Sequence, residues 1–180
     1  MINTEALKAF ISPYYENKDI MHNLWHIELV MKAVDKILAL GNYTVDRELL
    51  ALATAFHGFV YHAESEIRRW MQSQGYPQEY IDHVIRVAWE SQRPEVPETL
   101  EGKILHDAHV LEGGRLYLVV KTLITGSLRG QSLPQTLSYM KTHCLGTNRC
   151  YLPETIPLCQ EMNLFAESFY QELFSAIQYP

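Results

Sequence analysis

Apolar residues recur at three- and four-residue steps along almost the whole chain, a spacing that places them on one face of successive α-helices. Ile27, Val30, Met31, Val34, Ile37 and Leu38 form such a stripe; it predicts a helix from about His22 to Leu40, stopped at Gly41–Asn42. A second helix is expected from Asp46, an N-cap residue type, through Leu49, Leu50, Leu52, Ala53 and Phe56. Its surface is apolar nearly all round, so it should be central and buried. Glu64 to Gln74 makes a shorter helix ended by Gly75. Pro77 opens the next, striped by Tyr80, Ile81, Val84, Ile85 and Ala88. Residues 92–98, with two prolines and mixed charge, read as a loop. A helix carrying Leu100, Ile104, Leu105, Ala108 and Leu111 follows and stops at Gly113–Gly114. The β-branched run Leu116–Thr125 alone suits strand or helix, and its surroundings favour helix. Gly126 to Gln131 reads as a turn and Leu133 to Cys144 as a helix with Pro134 in its first turn. Gly146 to Pro157 reads as irregular and Leu158 to about Ile177 as a long amphipathic helix. No repeat or linker divides residues 1–180. The expected architecture is all-α: one domain, a bundle of about eight helices.

Charge and composition narrow the partners. Fifteen Lys and Arg against 21 Asp and Glu give a formal charge of −6, which argues against a nucleic acid polymer as partner. A small anion needs only a few local cations and stays open. No apolar run approaches the ~18 residues that would span a membrane. Met1 leads into Asn3, Thr4 and Glu5 without an apolar leader, so a reducing cytoplasmic setting is expected, with Cys144, Cys150 and Cys159 as free thiols. A zinc site from these cysteines and His143 lacks paired CxxC spacing. Oligomeric state is open, a homodimer included.

The chemistry-bearing residues gather at element ends. His22 and His26 are four apart and share a helix face, with Asn23 beside them. His57 ends the buried second helix, and His62 follows it by five. Glu90 ends the Tyr80 helix. His106, Asp107 and His109 lie on a later one. Imidazole and carboxylate are the ligands of zinc, manganese, iron or nickel. His109 follows Asp107 by two, so on a helix it faces away from it; it reads as a neighbour of the site.

Three segments resemble the HD superfamily of metal-dependent phosphohydrolases, whose pattern is H…HD…D on a helical scaffold. Residues 21–30, MHNLWHIELV, look like the family's opening segment. Residues 53–58, ATAFHG, look like the apolar helix that ends in HD. Residues 100–109, LEGKILHDAH, resemble the segment that supplies the last aspartate. The resemblance covers residues 20–115 and leaves residues 116–180 without an assigned motif. It implies His26, His57 and Asp107 as ligands of a divalent metal ion (Zn, Mn, Fe, Ni or Mg). The chain departs from the pattern at Gly58, which stands where the HD aspartate would bind, and bridge, metal.

The expected function is hydrolysis of a small phosphorylated substrate, a nucleotide or phosphate ester, at an H…HG…D site. His62 or Glu90 would serve as base or accessory ligand. Lys103, four before Asp107, would serve as the catalytic cation, and His22, Asn23 and Arg129 would contact substrate. Two alternatives stand beside this. One is an impaired HD-fold module that binds a small ligand or a protein. The other is a di-iron oxygenase, against which Gly58 counts most strongly.

Overall fold

All eight predicted helices are present, and a further one precedes them. The computed structural model describes residues 2–92 and 94–177, so Met1, Arg93 and residues 178–180 of the predicted segments lie outside the described residues. The additional helix is α1 (Thr4–Tyr15). The others are α2 (Leu24–Gly41), α3 (Arg47–Phe56), α4 (Val60–Ser73), α5 (Gln78–Glu90), α6 (Leu100–Leu111), α7 (Tyr117–Leu128), α8 (Leu133–His143) and α9 (Ile156–Ile177). The described residues contain no strand. None of their helices is long and apolar enough to cross a membrane.

Local chemistry sets the helix boundaries. Asp46 caps α3 as expected, its carboxylate accepting the Glu48 and Leu49 amides. Asn3 caps α1 in the same way, accepting from Ala6. Pro13 lies inside α1, where it removes the hydrogen bond that residue 13 would donate to the Ala9 carbonyl, and Leu7, Ile11 and Tyr15 bury the inner face. Helix α4 begins at Val60, earlier than predicted, and bends at Ala63, whose φ of −133° is not helical. Helix α7 runs through Gly126 to Leu128, so the predicted turn shrinks to its last residues. Gly126 is there for proximity: any side chain on it would collide with Thr136 of α8. The stop at Gly113–Gly114 holds, both residues having positive φ (66° and 75°) that glycine tolerates at little cost.

The helices build two apolar cores. The larger joins α1 to α6 around Phe56, Phe59, Ile67, Met71 and Ile104. Within it α2 packs on α6, α3 on α5, and α5 on both α4 and α6. The smaller joins the end of α6 to α7, α8 and α9 around Leu118, Leu137, Met140, Met162 and Tyr170. A cavity of about 600 Å³ is lined by residues of both units.

Candidate functional site

Three imidazoles meet at this cavity. His26 comes from the first turn of α2, His57 caps the end of α3, and His109 lies near the end of α6. Each offers a ring nitrogen, and these atoms all lie within 4.8 Å of one another. Nε2 of His26 is 3.1 Å from Nε2 of His57.

The other ring nitrogens explain why. His57 Nδ1 is 2.6 Å from the Thr54 carbonyl, and His109 Nδ1 is 3.3 Å from the Ser91 carbonyl. A carbonyl only accepts, so each Nδ1 carries the hydrogen and donates it. His26 Nδ1 donates to the Glu112 carboxylate at 2.5 Å. The lone pairs of all three rings therefore sit on Nε2, and two of them face each other at 3.1 Å. Such an arrangement calls for a cation between them, a proton or a metal ion. Two nitrogens each ~2.0–2.1 Å from one ion stand roughly 3 Å apart, so the donor set fits a divalent metal. Outer hydrogen bonds from metal-binding imidazoles to carbonyls and carboxylates are what such sites use to fix ring orientation.

Glu112 is buried at 4 % exposure and is gripped from both sides, by His26 Nδ1 and by the Lys121 ammonium. Burial alone would push its pKa up; the hydrogen bond from His26 and the charge of Lys121 outweigh burial and hold it below the usual range. Burial, then the proximity of His26, pushes His57 down to about 3. Burial, then the neighbouring His57, pushes His109 well below the usual imidazole value. Both rings are thus neutral at pH 7.

This has a measurable consequence for the metal-free protein. The unfolded chain takes up protons at these histidines near pH 6.5, whereas the folded chain resists until far lower pH. Their contribution is fully present above ~6.5 and is lost as pH falls; for His57 the loss is about 1.4 kcal/mol per pH unit as pH drops toward about 3, and His109 adds to it in the same direction. Urea midpoints measured from pH 7.5 to 4.5 should fall accordingly, and His57→Gln should flatten that slope. An unchanged slope in the variant would show that His57 is not held neutral by the fold.

Several sequence expectations need correction. Asp107 does not reach the imidazoles. It is fully buried on the opposite side of α6, accepting the Tyr151 amide (2.9 Å), the Leu152 amide (2.9 Å) and the Thr155 hydroxyl (2.5 Å). Residues two apart on a helix point apart, so His109 faces the cavity because Asp107 does not. His109 follows the same face as Glu112, and that i, i+3 pair was the available sequence signal. Glu90 is buried in a structural role, bound by Arg86 and by the amide and hydroxyl of Thr99, the N-cap of α6. His62 is exposed on α4 among Tyr14, Phe59 and Tyr61 and does not line the cavity. Lys103 does not line it either. Asn23 is the N-cap of α2, accepting the Trp25 amide.

His22 and Arg129 do line the cavity, joined by Lys18 and Lys121, which the sequence reading did not place there. Against these three cations, Asp19 is the one acid among the described lining residues. A chain of net charge −6 thus concentrates positive charge beside its imidazoles. His22 Nδ1 donates to both Asp19 oxygens, at 2.8 and 2.9 Å. Burial, then the Lys121 charge, lowers its pKa. The three cysteines are free thiols.

No family model matches the chain, and no curated protein does. Solved structures do. The Lin1889 protein of Listeria innocua superposes with a TM-score of 0.74 at 20 % identity, covering 100 % of this chain and 99 % of its own. Bacillus subtilis YpgQ in complex with ADP gives 0.74 at 16 % identity over 97 % of each chain. YpgQ solved separately gives 0.69 at 16 % identity, covering 99 % of this chain and 98 % of its own. These likenesses establish the fold.

Proposed function

We propose that this chain is a metal-dependent phosphohydrolase of a small phosphorylated molecule, with His26, His57 and His109 as the metal ligands. The observation that carries the reading is the convergence of three Nε2 lone pairs whose Nδ1 partners are all committed elsewhere. The HD resemblance supports it, with His109 in the place expected of Asp107. The crystallisation of the fold neighbour YpgQ with ADP, a phosphorylated ligand, supports the substrate class.

When bound, a divalent ion supplies Lewis acidity and an acidified water. The protein's own groups do the rest. Thr54, Ser91 and Glu112 hold the three rings in one tautomer. Arg129 offsets phosphate charge in the cavity, while Lys121 is tied to Glu112. His22, oriented by Asp19 and kept neutral by burial, presents a free nitrogen that can accept a proton from water. The base is therefore assigned to His22 rather than to His62 or Glu90. The three imidazoles provide for one ion. A bridging carboxylate, which di-iron chemistry would need, has no counterpart at Gly58.

The test is metal content together with phosphate release. Protein purified without chelator should bind about one zinc or manganese ion per chain and release phosphate from ADP, and His57→Ala should abolish both. Glu112→Gln should weaken the ion by roughly 10- to 100-fold, the usual loss for an outer partner of a metal-bound histidine. Phosphate release that survives His57→Ala, or wild-type protein that takes up no ion, overturns the proposal. One ion with no turnover leaves a ligand-binding module.

A further inference from the structure

Position 58 is closed to a side chain, and its carbonyl is held by a cation. A Cβ on Gly58 would stand 2.6 Å from the Tyr15 hydroxyl oxygen and 2.9 Å from its ring. Tyr15 cannot easily yield. It is 1 % exposed, its hydroxyl donates to the Ala55 carbonyl at 2.9 Å, and its ring packs edge-on to Phe59. Three residues later, the Lys18 ammonium donates to the Gly58 carbonyl at 2.5 Å and lies 4.9 Å from the centre of the Tyr15 ring. Lys18 lines the same cavity as the triad.

We infer that Lys18, seated on the Gly58 carbonyl and the Tyr15 ring at the edge of the cavity, forms an oxyanion site, so that one ion and the Lys18 ammonium together receive the phosphate of the substrate. An ammonium has three N–H donors, and Gly58 takes one of them among the described residues. The aromatic ring and the carbonyl hold the charge in position without forming an ion pair; the nearby Asp19 acts on it electrostatically but is hydrogen-bonded to His22 and the Met21 amide, whereas Lys121 is bound directly to Glu112. Partial burial leaves the cation poorly hydrated, which raises the return from meeting an anion there. This inference rests on the proposed function for the identity of the ligand, but the anion site is testable without it.

The experiment titrates inorganic phosphate calorimetrically into metal-free protein and into protein carrying one equivalent of zinc, for wild type, Lys18→Met and Lys18→Arg. Zinc stoichiometry is measured alongside. Lys18→Met should weaken phosphate binding at least ~10-fold, the scale of one charge-assisted hydrogen bond, while Lys18→Arg retains most of it. Zinc should saturate at about one per chain in all three. Lys18-dependent phosphate binding without any zinc uptake would uphold this site and sink the metal-dependent reading. Equal phosphate affinity in wild type and Lys18→Met, or two zinc ions per wild-type chain, overturns the inference. Should Lys18→Met fail to fold, acetylation of the wild-type protein decides. Phosphate should shield Lys18 but not the exposed Lys8, and equal labelling of Lys18 with and without phosphate overturns the inference.

Discussion

Replacing His109 by alanine should weaken divalent-metal binding by more than ~100-fold, whereas Asp107→Asn should leave it within a few-fold of wild type. The first substitution removes one of the three proposed ligands, and its effect should exceed the ~10–100-fold expected for the hydrogen-bond partner of a metal-bound histidine, the place proposed for Glu112. The second changes a residue whose oxygens are committed to Tyr151, Leu152 and Thr155. Competition against a chromophoric chelator, with purified variants at pH 7.5, would give both numbers. The reverse ranking would restore Asp107 as the ligand and require α6 to rotate from the arrangement described above. Because His57 and His109 are already neutral at that pH, zinc need not displace their protons, and affinity should change little between pH 7 and 8.

Asp107→Ala, by contrast, should destabilise the protein by about 3–5 kcal/mol and lower Tm by roughly 10 °C. The carboxylate is fully buried and satisfies two backbone amides and one hydroxyl of the segment that leads into α9. Alanine leaves the two amides without an acceptor in a place water does not reach, at roughly 1–3 kcal/mol each, while the Thr155 hydroxyl can turn to the Leu152 carbonyl 2.9 Å away. Asparagine keeps one acceptor and should lose less. Urea denaturation of the two variants checks this. A loss below 1 kcal/mol for Asp107→Ala would mean that the 147–155 segment finds other acceptors. The two predictions separate the roles of neighbouring residues on one helix: one for the ion, the other for the fold.

Helical periodicity made eight of the nine helices among the described residues readable, and the HD resemblance singled out His26 and His57 at the ends of α2 and α3. The error on α6 has a simple origin. Asp107 and His109 are both ligand types, they point to opposite sides of the helix, and nothing local says which side faces the cavity. That depends on how α6 lies against α2 and α3, a tertiary fact. Only the three-residue step from His109 to Glu112 hinted at the answer. The cations were misplaced for a related reason. Lys103 sits one turn from Asp107, so choosing the wrong face of α6 carried the wrong lysine with it. Helix α1 carried a legible cap at Asn3 and a stripe of Leu7, Ile11 and Tyr15. Leaving it unassigned hid the meaning of Gly58, since the residue that fills the space beside that glycine comes from α1.

The division into two cores bears on how such a protein can change its diet. The imidazoles and the groups that orient them belong to the α1–α6 unit, apart from Lys121, which reaches back to Glu112 from α7. The opposite wall of the cavity, with Thr122, Thr125, Arg129 and Tyr139, belongs to the α7–α9 unit, which packs around its own apolar residues. Substitutions at those wall positions can reshape the opening without disturbing the packing beneath the histidines. The imidazole cluster and the wall that faces it are thereby carried by separate halves of the chain, and libraries at Thr122, Thr125, Arg129 and Tyr139 that spare Lys121 would alter what the cavity accepts while leaving the three rings in place.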